Sequence, residues 1–176
     1  MSAARIAAIA VALALVVAGK TYYRHATADE LAWLLAPTAV CVSAATDTHF
    51  IRERGVGWID RDATFEIVPE CAGLHFLLCA LLVLVVAALP AMTSWPAAAR
   101  QLGIALAAAY AVTIVVNTTR IAIAIRMHQR AIAASAAGPG MIGGADLHRF
   151  EGTVVYLGAL CALYAMARRL YAPATA

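Results

Sequence analysis

Cys71, Arg120 and His148 stand out because each is a reactive or charged side chain set at the edge of, or inside, an apolar run. Cys71 follows Val68-Pro69-Glu70 and opens the stretch 71–89, Arg120 interrupts the run 112–125, and His148 begins the last run, 148–171. A guanidinium in hydrocarbon costs several kcal/mol unless it is paired or hydrated, so an intramembrane arginine is first of all a functional candidate. Together the three side chains suffice for acyl transfer: a thiolate attacks a carbonyl and holds the acyl group as a thioester, a cation stabilises the oxyanion, and an imidazole moves the proton.

Each residue has a plainer alternative. Pro69 marks a helix start and puts Cys71 in its first turn, where free backbone N–H groups favour an anion; the same position also suits a small capping residue. Gly73 would let a substrate backbone approach. Asn117 lies three residues before Arg120, on the same helix face, and Thr113 adds a polar point one turn earlier. Arg120 could instead be a structural partner of Glu66, Glu70 or Glu151. His148, with Glu151 one turn on to orient it and Gly152 to allow close packing, is suited to proton transfer or to an interfacial position. His75, four residues after Cys71, is a rival base or half of a metal site, although no metal-binding spacing such as CxxC or HExxH is present.

The elements that must position these groups are membrane helices. Of the 176 residues 64% are hydrophobic and only 13% charged, and mean hydropathy is +0.82, well outside the range of soluble domains. The net charge of +3 is spread singly or in pairs, without the clustered basic face that nucleic-acid binding needs. Four cysteines form no disulfide framework: Cys71 and Cys79 would lie about 12 Å apart on one helix, and Cys41, Cys79 and Cys161 sit within apolar runs as small hydrophobes.

Apolar runs near 20 residues long can cross a bilayer as helices. Five are expected, at 3–19, 31–46, 71–89, 97–127 and 148–171; the second is short and carries Pro37, so it is kinked or only partly inserted. The first resembles a signal peptide in its basic start and apolar core, but a transmembrane helix is the simpler reading. Polar–apolar alternation in Thr64-Phe-Glu-Ile, with Asp60-Arg-Asp as turn chemistry, predicts a small β-hairpin outside the bilayer. The Gly-rich segment 131–147 reads as a surface or re-entrant loop. The fold class is therefore an all-α polytopic bundle of about five transmembrane helices in a single domain, 1–176. With five crossings Cys71, the end of the fourth run and His148 share one face, but the arginine distribution does not fix which face that is.

Pro69-Glu-Cys71-Ala-Gly73-Leu74, then Asn117-Thr-Thr-Arg120, then His148-Arg-Phe-Glu-Gly152, each at a membrane edge, resembles the exosortase/archaeosortase family. The short length and the Glu-Cys-Ala-Gly form are most like the exosortase K branch, and the resemblance covers about 65–164, the expected catalytic core. It implies a cysteine transpeptidase of the inner (plasma) membrane, multi-pass, with its site facing the exterior; the residues themselves lead to no expected cofactor or metal. It implies further that the enzyme acts on exported proteins that carry a C-terminal sorting signal, namely a short motif, a transmembrane helix and a basic end. The family's nucleophile falls on Cys71, its arginine on Arg120 and its histidine on His148, with Asn117 and Gly73 as substrate or oxyanion support. Ala72 departs from the serine that many members carry after the cysteine. Two other classes fit the residues alone. A non-catalytic membrane assembly subunit would use Arg120 as an interhelical anchor. A small lipid- or anion-binding transporter would use it for a headgroup.

Overall fold

The computed structural model describes residues 2–61, 65–135 and 144–171, with the backbone alone at 131–135 and 144–151. Its helices are α1 (Ala3–Tyr23), α2 (Ala32–Thr46), α3 (Leu74–Ala88), α4 (Trp95–Ser135) and α5 (Gly144–Tyr171). A small sheet of β1 (Phe50–Glu53), β2 (Gly57–Asp60) and β3 (Glu66–Ile67) lies between α2 and α3 in the chain. Four segments are long and apolar enough to cross a bilayer: Ala3–Tyr23, Pro69–Ala91, Trp95–Arg130 and Gly152–Tyr171. The second expected span does form a helix, but 15 residues reach only about 22 Å, short of a hydrocarbon core of about 30 Å. The protein is a multi-pass helical membrane protein with four such spans among the described residues.

The chain divides into two compact units, each assembled from separated segments. One contains Met1–His25, Leu74–Thr113 and Leu157–Ala176. Here α1 packs on α3 through a stripe of small residues, Ala4, Ala8 and Ala12, all buried and spaced one turn apart. Gly19 extends the stripe against Leu78. The opposite side of α1 exposes Ile6, Val11, Leu13, Leu15 and Val17, as a lipid-facing surface must. Arg5 donates from Nη2 to the Pro90 carbonyl (3.2 Å). The Tyr171 hydroxyl donates to Gln101 Oε1 (2.7 Å), tying α5 to α4 within this unit.

The other unit contains Ala26–Gly73 and Ile114–Tyr156. Thr27 and Glu30 form a reciprocal capping box before α2: the Thr27 amide and hydroxyl donate to Glu30 Oε2 (2.8 and 2.9 Å), and the Glu30 amide donates back to Thr27 Oγ1 (3.4 Å). These bonds hold the Glu30 carboxyl below its ordinary pKa. Pro37 is accommodated inside α2. The helix stops where Asp47 turns left-handed (φ 55°), and Arg126 of α4 donates to the freed Ala45 carbonyl (3.0 Å).

The expected hairpin is part of a three-stranded antiparallel sheet ordered β1-β2-β3. Its β2–β3 arm pairs Trp58 with Ile67 and Ile59 with Glu66; Asp62 of the proposed turn and Thr64 of the alternating stretch lie outside the described residues. The additional strand β1 pairs Phe50 with Asp60 through Glu53 with Gly57. Asp29 fastens this arm: Arg52 donates to Oδ1 (2.6 Å) and the Gly55 amide to Oδ2 (3.1 Å), while the Arg52 guanidinium stacks on Trp58 (5.6 Å).

The Arg52 hydrogen bond, which outweighs the opposing effect of burial and is helped by the Gly55 amide, holds the Asp29 carboxyl below its ordinary 3.8. A carboxylate whose folded pKa is depressed stabilises above its unfolded value and loses that contribution as pH falls through the folded one. The stability gap between wild type and Asp29→Asn should therefore be complete above about pH 5 and close as pH drops below 3.8, as thermal unfolding across that range would show.

The Gly-rich connection is shorter than the sequence implied, because α4 continues to Ser135 and α5 starts at Gly144; residues 136–143 lie outside the described set.

Candidate active site

All the described site contacts belong to the second unit. The chain leaves β3 through Val68 into a three-residue 3-10 turn, Pro69–Cys71, in which the Cys71 amide donates to the Val68 carbonyl (2.8 Å) and the Ala72 amide to Pro69 (3.0 Å). Pro69 does initiate a helical turn, as its fixed φ favours. That turn is not the first turn of α3, however. Gly73 adopts φ +70° and breaks the run, so α3 begins only at Leu74. The expectation that Cys71 and His75 share one helix face fails for this reason. His75 is exposed and packs edge-on against Tyr23, with ring centroids 4.9 Å apart.

The residue that secures the Cys71 turn is Asn117. Fully buried on α4, it donates from Nδ2 to the Cys71 carbonyl (2.5 Å) and accepts at Oδ1 from the Tyr156 hydroxyl (2.7 Å). The amide orientation follows from chemistry, because a carbonyl can only accept; the nitrogen must face Cys71 and the oxygen must face the phenol. Gly73 seats against the same side chain, since a Cβ there would stand 3.1 Å from Asn117 Cγ. Thr113 takes no part: its hydroxyl donates to the Ala109 carbonyl one turn back (2.6 Å).

Two penalties fall on Gly73→Ala, a left-handed backbone costing roughly 1–2 kcal/mol for a residue with a Cβ and displacement of Asn117. Gly55 shares the positive φ (78°), but a Cβ there would meet nothing within 4 Å. Gly73→Ala should thus destabilise clearly more than Gly55→Ala in denaturant titrations of the detergent-solubilised protein, and it alone should impair the site.

Arg120 lies one turn beyond Asn117, half-buried, with its guanidinium carbon 5.3 Å from the Tyr156 ring centroid. This is a cation–π arrangement, worth more where water is excluded. Gly152 leaves room for it: a Cβ there would touch Arg120 Cδ and Nη1 at 3.4 Å. Glu66 and Glu70 are exposed, and among the described residues the sole salt bridge is Arg52–Asp29, so neither glutamate pairs with Arg120. Arg120 Nε is buried without a hydrogen-bond partner among the described residues.

His148 falls on α5 one turn before Gly152; its side chain and that of Glu151 lie outside the described residues. The geometry thus joins Cys71 and Gly73 to Asn117, and Asn117 and Arg120 to Tyr156, a residue that sequence reasoning did not single out. The signal was present, since Tyr156 stands four residues after Gly152 and so on the same face of α5. Cys71 is half-buried, whereas Cys41, Cys79 and Cys161 are exposed on the apolar surfaces of their helices. No group of three metal-ligating side chains occurs among the described residues.

Such an arrangement braces the turn that carries a thiol on an asparagine, one helical turn before a cation held by an aromatic face. The family model for transmembrane exosortases matches residues 1–165, and thus takes in every one of these residues. No curated protein and no solved structure matches the chain. With a match of that extent, and with helices able to cross a membrane, the chain belongs to the transmembrane exosortase family.

Proposed function

We propose that this protein is a membrane-embedded cysteine transpeptidase that cleaves exported proteins at a C-terminal sorting signal and transfers them through a thioester on Cys71. The observation that carries the reading is the Asn117 bridge, which links the Cys71 turn to the aromatic platform of Arg120. In the first half-reaction Cys71 Sγ bonds to the scissile carbonyl carbon. Arg120 stabilises the oxyanion, and the C–N bond breaks as His148 protonates the departing amine. In the second, an acceptor amine or water attacks the thioester, loses its proton to His148, and returns the thiolate. Asn117 and Gly73 hold the cysteine turn in the attacking position.

Crossing parity supports one shared face for these groups. With α1, α3, α4 and α5 as the spans, the start of α3, the end of α4 and the start of α5 fall on the same side. That side is assigned to the exterior of the inner membrane, where exported substrates with a C-terminal helix arrive. Within the family, Glu70-Cys71-Ala72-Gly73 is the ground for proposing the K branch. Ala72, fully buried, fills by packing the position where many members carry serine.

The test is processing in proteoliposomes containing the full chain and candidate tail-bearing proteins. Loss of the substrate's C-terminal helix together with a hydroxylamine-labile protein adduct is expected. Cleavage that persists in Cys71→Ala would refute the reading.

A further inference from the structure

We infer that Tyr156 is a positioning residue of this site, acting on the thiol turn through Asn117 and on the cation through its ring. The inference rests on the transpeptidase reading for its consequence in turnover, but its geometry stands on separate contacts. The Tyr156 hydroxyl donates to Asn117 Oδ1 (2.7 Å), and the same Asn117 donates from Nδ2 to the Cys71 carbonyl. Because Asn117 is fully buried, its Oδ1 has no water to replace a lost phenol. The amide would then rotate or shift, and the Cys71 carbonyl with it. The other half of the side chain serves Arg120, whose guanidinium lies over the ring at 5.3 Å. One residue of α5 thus sets both the thiol's turn and the cation's place, and its two functions can be separated chemically: phenylalanine keeps the ring and loses the hydroxyl, whereas leucine loses both.

The pattern distinguishes this tyrosine from others in α5. Tyr164 also carries an arginine on its ring, Arg168 at 5.9 Å, but that pair lies within one helix, four residues apart, on the exposed surface of the other unit. It provides a control of the same chemical kind.

A double-substitution cycle on the full-length protein in lipid nanodiscs tests the inference, with two readouts: the rate of thioester formation with a tail-bearing protein, and the rate at which iodoacetamide alkylates Cys71 at fixed pH, followed on the Cys71 peptide by mass spectrometry. Tyr156→Phe should lower thioester formation by about tenfold, the scale of one buried hydrogen bond, with KM little changed. In an Asn117→Ala background the same substitution should cost less than about twofold, because the route through Asn117 is already cut. Tyr156→Leu should cost at least about tenfold more than Tyr156→Phe, through the lost cation–π contact, and Tyr164→Leu should leave both rates at wild-type values. The alkylation rates should show the same non-additivity without any substrate. Equal costs of Tyr156→Phe in the two backgrounds, or a folded Tyr156→Leu with wild-type rates, would overturn the inference. A wild-type protein that forms no thioester would instead refute the transpeptidase reading, and the alkylation cycle would still decide Tyr156.

Discussion

Cys71→Ala should abolish thioester formation and transfer while leaving the fold unchanged. Removal of a catalytic nucleophile typically lowers turnover on the order of 10⁴-fold or more, which here means to the detection limit. The fold should survive because Asn117 binds the main-chain carbonyl of residue 71 rather than its sulfur, and the Pro69–Cys71 turn is closed by main-chain bonds. The variant should unfold within about 0.5 kcal/mol of wild type, as a half-buried thiol replaced by a methyl allows. Alanine at Cys41, Cys79 or Cys161, each exposed on an apolar helix surface, should leave turnover intact. Turnover by Cys71→Ala comparable to wild type would remove the thiol from the chemistry and point to another nucleophile.

The next largest effect belongs to Arg120. Loss of one oxyanion-stabilising group costs roughly 3–4 kcal/mol at the transition state, so Arg120→Ala should reduce turnover several hundred-fold. Arg120→Lys should restore only a minor part, because an ammonium on a flexible stem lacks the flat face that lies over the Tyr156 ring. Single-turnover rates of both variants, taken alongside their unfolding midpoints, check this. Partial anion binding retained by the lysine variant, with no acyl-enzyme in any of the proteins, is the outcome of an anion-binding transporter. An alanine variant that fails to fold is that of a purely structural anchor.

The membrane spans were legible because hydropathy acts over twenty residues at a time, and four of the five runs reach crossing length. The shortfall of α2 was legible too, in its length and Pro37. Strand β1 was not: Phe-Ile-Arg-Glu has no polar–apolar alternation, and it is held by pairing with β2 and by the Asp29–Arg52 tie across 23 residues. The helix break before α3 was equally hidden. Pro69 signalled a start, but only the backbone at Gly73 shows that the first turn is closed off and a new helix begun.

For the site, residue type and membrane setting singled out Cys71, Asn117 and Arg120, because polar groups in apolar runs have few purely structural reasons to be there. Their mutual arrangement depends on Tyr156, whose ring reads in sequence as one more membrane aromatic. A carboxylate partner was the plainer alternative for Arg120; Glu66 and Glu70 do not supply it, the Glu151 side chain lies outside the described residues, and a phenol ring and a glycine stand beside the guanidinium.

Whether the thiol of residue 71 becomes acylated is best answered directly, by peptide mapping of the full-length protein co-expressed with tail-bearing exported proteins and quenched at low pH. The expected mass increment is that of the substrate's truncated C-terminus, carried on the peptide containing Cys71 and released by hydroxylamine. Substrate cleavage with that peptide consistently unmodified, or with the adduct on another side chain, would contradict the account.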